Sequence, residues 1–150
     1  MINYSTGAVN KLLGTSPLKD IFNDSIIQFY TGAQPISADS AVTGTLLGTV
    51  TVSGAAFTPG SPTAGLAFDA PSGKTLSKAA AEVWQFKGIA AGTIGYFRLL
   101  GNAVDAGATS TSLPRIDGTI GITTGDMKLS TVTSTVGATI TIDTFVISAS

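Results

Sequence analysis

The sequence contains no cysteine and no histidine. Without cysteine the chain has no disulfide, no thiol nucleophile and no thiolate metal ligand. Without histidine it lacks the commonest general base, the nucleophilic triads that depend on it and nearly all zinc sites. Only carboxylates, lysine, tyrosine and hydroxyl groups remain for chemistry. We therefore expect no cofactor and no metal ion.

Charge is also scarce. Charged residues make up 11% of the 150 residues, and the formal net charge is −1, whereas a soluble domain usually carries about 25% charged residues. The few basic residues are scattered, so the chain has no field that would attract nucleic acid or an acidic membrane. A near-neutral surface protects poorly against association. These properties predict a protein partner and a homo-oligomer or larger assembly.

The carboxylates suggest no catalytic pair. Glu82 is the only glutamate, and the aspartates are dispersed along the chain. A glycosidase needs two carboxylates at a defined separation, and nothing in the sequence selects two. Several aspartates adjoin glycine or asparagine, where Asx turns account for them, and none lies in a calcium-loop pattern. We expect a protein that is not an enzyme.

The length of the chain fits a single domain. No run reaches the roughly 18 apolar residues that cross a bilayer, and no basic start followed by an apolar run predicts a signal peptide. Within the domain, residues 1–24 differ from the rest and form an N-terminal arm with short helices. Residues 25–150 form a β-sandwich domain.

Two short helical segments are predicted in residues 1–24. Ser5-Thr6 caps the first, which ends near Gly14, and Pro17 opens the second. Apolar residues recur on one side of each segment. Two interpretations stay open: the segments cover the β core, or they form an arm that docks on a neighbouring subunit. The candidate protein contacts in the arm are Leu12, Leu13, Leu18, Ile21 and Phe22.

From Ser25 onward, β-branched and aromatic runs alternate with turns rich in Gly, Pro, Ser and Thr. This pattern predicts a mainly β fold, an antiparallel β-sandwich or jelly roll of roughly eight strands. Gly48, inside one run, indicates a β-bulge or a close backbone approach. The runs lie at residues 26–30, 45–52, 66–68, 83–89, 94–100, 119–122, 127–132 and 139–147, and in the last of these the apolar phase shifts, which predicts a bulge or burial on both faces.

Two aromatic-rich runs, residues 83–89 and 94–100, flank a short loop that contains Gly92. This spacing predicts a β-hairpin at the centre of the core, with Trp84 and Phe86 on its inner face. Aromatic residues on adjacent strands are usually core residues. The alternative is that Trp84, Tyr96 and Phe97 form an exposed platform on which sugars stack.

Arg115 and Asp117 are two positions apart and therefore share a face if the segment is extended. One interpretation is a surface ion pair between them. The other is a contact with a partner, which adds Arg115 and Asp117 to the candidate protein contacts. The loops at residues 33–45 and 101–113 are further candidate contact elements.

Six segments along the chain form a familiar set. They are Asn-Tyr-Ser-Thr-Gly at residues 3–7, Tyr-Thr-Gly-Ala-Gln-Pro at 30–35, Thr-Leu-Leu-Gly at 45–48, Ala-Ala-Ala-Glu-Val-Trp-Gln-Phe at 79–86, Tyr-Phe-Arg-Leu at 96–99 and Leu-Pro-Arg-Ile-Asp-Gly-Thr-Ile-Gly at 113–121. These segments resemble small virion proteins of tailed bacteriophages. The closest functional analogue is the head decoration, or cement, protein with a jelly-roll-like fold. These motifs are turns and strands, and they carry over no functional residue.

The resemblance implies a virion structural protein that is assembled in the host cytoplasm and lies on the head surface. Such a protein binds the major capsid protein, copies of itself, or both, and many weak contacts on a symmetric lattice act together through high effective concentration. The alternative is a module of the tail or fibre that recognises a host glycan, which would require exposed aromatic residues.

Overall fold

The structure is a computed structural model that describes residues 1–148. Over these residues the chain forms two helices, α1 (Thr6–Gly14) and α2 (Leu18–Ile21), and eleven strands. The strands are β1 (Asn3–Tyr4), β2 (Ile26–Thr31), β3 (Leu46–Val52), β4 (Thr75–Ser77), β5 (Trp84–Lys87), β6 (Gly92–Leu100), β7 (Arg115–Gly121), β8 (Met127–Lys128), β9 (Thr133–Ser134), β10 (Thr139–Ile142) and β11 (Val146–Ser148). The predicted mainly β fold with short N-terminal helices is confirmed.

The strands form one nine-stranded sheet and one two-stranded sheet. The order in the large sheet is β1-β7-β6-β2-β3-β5-β10, with β8 beside β7 and β9 beside β6. Strands β4 and β11 form the small sheet. All pairs are antiparallel except that of β7 with β8. The sandwich or jelly-roll arrangement remains a prediction.

The apolar core lies on one face of the large sheet. Side chains alternate between the two faces of a strand, so on β6 Phe97 and Leu99 enter the core while Arg98 lies on the other face. Phe22, beside α2, and Leu76, on β4, belong to the same core cluster. The short helices and the small sheet thus cover the apolar face of the large sheet.

The N-terminal segment is built into the fold. The Ser5 hydroxyl caps α1 by accepting a hydrogen bond from the Ala8 amide at 3.1 Å, as predicted, and β1 pairs with β7. Ile21 and Phe22 are buried in the core. Of the two interpretations given above, these two candidate contacts fit a segment that covers the β core, because their side chains pack within their own chain. Residues 1–24 therefore do not project as a free arm.

The predicted β-hairpin is wrong. Strand β5 pairs with β3 and β10, whereas β6 pairs with β2, β7 and β9. The short loop between them connects strands that are not neighbours, because β2 and β3 lie between β6 and β5 in the sheet. The predicted facing is correct: Trp84 and Phe86 are buried, and Lys87 is exposed.

Other predicted strands change as well. Residues 66–68 make only isolated bridges, and residues 139–147 divide into β10 and β11, which belong to different sheets. The shift in apolar phase near Phe145 therefore marks a change of sheet and not a bulge. The prediction at Gly48 is confirmed, because the register of β2 and β3 shifts beside it and a Cβ at Gly48 would clash with the Phe86 ring.

Candidate contact surface

The second face of the large sheet carries a buried ion pair. Arg98 on β6 and Asp117 on β7 are direct cross-strand partners. Arg98 Nε donates to Asp117 Oδ1 at 2.7 Å and Nη2 donates to Oδ2 at 2.6 Å, with both side chains 0% exposed. Burial opposes the charge of Arg98, but the hydrogen bond and the charge of Asp117 hold its pKa above the ordinary value.

A second pair of the same kind lies beside it. Arg115 Nε donates to Asp105 Oδ2 at 2.7 Å and Arg115 Nη2 donates to Asp105 Oδ1 at 2.6 Å. Arg115 and Asp117 share a face of β7, as predicted, but the surface ion pair between them is wrong. Each is buried and pairs with a different residue, so neither side chain is available as a partner contact.

The two guanidinium groups hold two loops against the sheet. Arg98 Nη1 donates to the Ser40 carbonyl at 3.0 Å, and Arg115 Nη2 donates to the Ala108 carbonyl at 2.8 Å. A guanidinium group has several donors in a rigid plane, so it can bind a carboxylate and a backbone carbonyl together. The loop at residues 32–44 and the loop at residues 101–114 are fixed by the same buried layer.

The loops also bind each other. The Val42 amide donates to the Gly107 carbonyl at 2.8 Å, and the Ser110 amide donates to the Asp39 carbonyl at 2.9 Å. These bonds connect residues that the sequence places about 65 to 71 positions apart. The loops are therefore one cross-linked layer, and not two independent flexible segments.

A pair of stacked tyrosines supports the loop at residues 32–44. The rings of Tyr30 and Tyr96 stack with centroids 5.2 Å apart. The Tyr96 hydroxyl donates to the Thr43 carbonyl at 2.7 Å and accepts from the Thr43 amide at 3.0 Å. Burial, together with the charge interaction with Tyr96, raises the pKa of Tyr30 to about 12.

The N-terminal segment joins the same layer. The Thr6 amide and hydroxyl donate to the Asp39 carboxylate at 2.8 and 2.6 Å. Asn3 Nδ2 donates to the Ile36 carbonyl at 3.2 Å. The Ser5 hydroxyl donates to the Leu113 carbonyl at 2.8 Å. The three candidate contact elements of the sequence therefore meet, and we call the surface formed by residues 1–13, 32–44 and 101–114 the loop surface.

A further ion pair fixes residue 1. The Met1 amino group lies 2.8 Å from Asp126 Oδ2, which also accepts from the Thr119 amide at 2.9 Å and the Thr119 hydroxyl at 2.8 Å. Burial works to raise the pKa of Asp126, but these hydrogen bonds together lower it below the ordinary value.

The loop surface presents apolar side chains to solvent. Ile36 is 99% exposed, Leu13 is 81% exposed and Val104 is 76% exposed. Beside Ile36, the loop at residues 32–44 forms a shallow depression of about 480 Å³ that is mostly apolar. A protein contact site needs exposed apolar side chains on a fixed surface, and the loop surface has both. Of the predicted contacts, Leu12 and Leu13 on α1 have the exposure that such a role requires.

The aromatic residues proposed as a sugar platform are buried. Trp84, Tyr96 and Phe97 are all 0% exposed, and Trp84 Nε1 donates to Glu82 Oε2 at 2.7 Å. A ring that stacks on a sugar must have one face open to solvent. These three residues therefore do not form a glycan-binding platform.

Across residues 1–148, no three acidic, histidine or cysteine residues are grouped in a way that could hold a metal ion. In the same part of the chain, neither helix is long and apolar enough to cross a membrane.

No known protein-family model matches this chain, and no curated protein or solved structure shows a significant match. The geometry of the loop surface is therefore the basis for any functional inference.

Sequence reasoning missed the roles of Arg98, Asp105 and Asp39. Arg98 stands within an apolar strand, flanked by Phe97 and Leu99. A lone charge inside an apolar run is rarely buried without a partner, and that signal could have identified it. Asp105 and Asp39 lie in polar loops and give no such signal.

Proposed function

We propose that this chain is a non-enzymatic structural protein of a tailed-bacteriophage virion and acts as a capsid decoration, or cement, protein. The observation that carries the proposal is the loop surface, which is fixed by two buried Arg–Asp pairs and carries exposed apolar residues. The resemblance of the chain to small virion proteins points to the same role. Its partners are then the major capsid protein and further copies of itself.

The rigidity of the loop surface supports a docking role. A loop that is ordered only on binding loses conformational entropy at that moment, which weakens the complex. Here the loops are already held by charge-assisted bonds from Arg98 and Arg115. The exposed Ile36 and Leu13 can therefore be buried against a partner without ordering their backbone first.

The low charge of the chain supports the same role. With a net charge of −1, neighbouring copies on a symmetric shell repel one another little. Each contact can then be weak, because many copies that bind one lattice act together. A stiff β domain with a fixed apolar loop surface is therefore suited to the role of a cement protein.

The test is binding to heads that lack this protein, prepared from the encoding phage with the gene deleted. Purified protein is mixed with these heads and sedimented, and the bound protein is measured against its concentration. We expect saturation at a fixed stoichiometry. Ile36→Asp and Leu13→Asp, which place a charge on the loop surface, should reduce binding at least about tenfold.

The matched control is Val83→Asp, which introduces the same charge at another exposed apolar position, outside the loop surface. It should bind heads like the unmodified protein. Deletion of residues 1–15 is unsuitable, because it removes β1 and the Ser5 contacts and so damages the fold itself. Absence of binding to heads, together with binding to tails or fibres, would overturn the decoration role in favour of a tail component.

A further inference from the structure

The last strand of the large sheet has a free edge. Strand β10 pairs with β5 along one side, and within residues 1–148 no strand pairs with its other side. The Gly88 amide donates to the Ala138 carbonyl at 2.8 Å. Because bonded positions alternate along an antiparallel pair, the backbone groups of Ile140 and Ile142 face β5, and those of Thr139 and Thr141 face outward.

The hydrogen bonds on the far side of β5 agree with this assignment. The Ile89 amide donates to the Leu47 carbonyl of the segment beside it at 2.9 Å. Odd-numbered positions of β5 therefore bond to β3, which leaves the even-numbered positions to β10. Over the part of the chain that the structure describes, the outward amides and carbonyls of Thr139 and Thr141 make no hydrogen bond.

Strand β10 contains no proline, lysine or bulge that would oppose the addition of another strand. Free edges are commonly blocked by proline, by lysine, by a bulge or by a covering loop. Strand β10 reads Thr-Ile-Thr-Ile, and its pairing with β5 is regular over all four residues. Its exposed side chains are those of Thr139 and Thr141, which are β-branched and favour extended backbone. The edge is thus suited to pair with another strand.

We propose that β10 pairs with β10 of a second copy of this chain, antiparallel, about a two-fold axis at Thr141. Thr141 then faces Thr141 of the partner subunit, and Thr139 faces Asp143 of the partner subunit. Roughly six backbone hydrogen bonds form in this register. The two large sheets become one continuous sheet. A two-fold contact of this kind closes on itself and does not form fibres.

Two charges favour this partner and this register. Lys87 on β5 lies directly opposite Thr139, and Lys87 and Asp143 are both exposed with no ion pair in residues 1–148. In the proposed register Lys87, Thr139 and Asp143 of the partner subunit lie in one row on one face. Adjacent strands are about 4.8 Å apart, so a lysine can reach over a threonine to that carboxylate.

The proposed dimer deepens the assembly role proposed above and rests on it only in part, because its test uses the isolated protein.

The sedimentation velocity of the purified protein is measured from low to high micromolar concentration. The unmodified protein should form a dimer as its concentration rises. Thr141→Pro removes an outward amide and places a ring on the edge without removing a bond to β5. It should dimerise at least about tenfold more weakly, whereas Thr141→Val keeps the amide and should dimerise normally.

A charge exchange tests the register and does not depend on the folding of the proline variant. Asp143→Lys places like charges in each row and should weaken dimerisation roughly fivefold. Adding Lys87→Asp restores opposite charges and should restore the dimer. The proposal is overturned by a protein that stays monomeric up to about 1 mM, by a folded Thr141→Pro variant that dimerises normally, or by failure of the double variant to recover. Failure of head binding with an intact dimer would overturn only the cement role.

Discussion

Arg98 and Asp117 face each other from neighbouring strands, joined by two hydrogen bonds of 2.7 and 2.6 Å, and both side chains are fully buried. The pair lies on the face of the sheet opposite the apolar core, and one guanidinium nitrogen continues to the Ser40 carbonyl. The same two residues that neutralise each other therefore also fix a loop. Their removal should affect both the stability of the fold and the shape of the loop surface.

Replacing one partner of this pair should be strongly destabilising. Arg98→Met leaves the Asp117 carboxylate buried without a counter-charge, and we expect a loss of about 3–5 kcal/mol in the free energy of unfolding. The double variant Arg98→Met with Asp117→Leu should recover much of this loss. Urea unfolding followed by Trp84 fluorescence measures both. Lys128→Met, at an exposed strand position, is the control, and equal losses in the single and double variants would contradict the prediction.

Two glycines of α1 should respond to alanine in opposite directions. A Cβ at Gly7 would meet the Ser112 and Leu113 carbonyl groups, whereas nothing lies within 4 Å of one at Gly14. Gly7→Ala should lower the free energy of unfolding by about 1–3 kcal/mol, although alanine favours helix. Gly14→Ala should leave it unchanged or raise it by up to about 1 kcal/mol. Thermal unfolding compares the two, and stabilisation by both alanines would show that helix propensity outweighs packing.

Weakening the second pair should loosen the loops more than the sheet. Lysine cannot reproduce the double hydrogen bond of Arg115 with Asp105, so in Arg115→Lys the loop at residues 101–114 should open more often. Hydrogen exchange should accelerate about tenfold or more at the amides of Val42 and Ser110, which bridge the loops. The Ile27 amide on β2 serves as the internal control. Uniform acceleration at all three sites would indicate global destabilisation instead.

The pKa of Tyr30 predicts a loss of stability at high pH. Its pKa is about 12 in the folded chain against an ordinary value of 10.0. Between these two values the folded state binds more protons than the unfolded state, so the free energy of unfolding falls as the pH rises from about 10 towards about 12. Urea unfolding at pH 8, 10 and 11 measures this decline. Tyr30→Phe should show a smaller decline, and an unchanged one would assign the effect to other groups.

Local features of the fold could be predicted from the sequence, and long-range pairing could not. The Ser5 cap and the inward facing of Trp84 depend on residues within a few positions of each other, and the structure confirms both. The predicted hairpin of β5 with β6 is wrong because a short glycine loop permits a hairpin without requiring one. Which strand pairs with which is decided by the packing of the whole sheet.

The candidate surface shows the same limit. The shared face of Arg115 and Asp117 follows from strand alternation, but their partners Asp105 and Arg98 are selected by strand register and by the path of a loop. The three candidate contact elements could be predicted from composition, because one is an amphipathic segment and the other two are polar loops. That they meet in one surface depends on Asp39, which binds the N-terminal segment and the second loop together, and no local pattern indicates this.

The hydroxyl of Ser5 bonds to residues 108 and 110 positions further along the chain. During synthesis, at about 5–20 residues per second, Ser5 is therefore made several seconds before the residues to which it bonds. The surface that we assign to docking exists only once residue 115 has been made and folded into place. A chain that ends before residue 113 cannot form these hydrogen bonds, and it therefore lacks the loop surface.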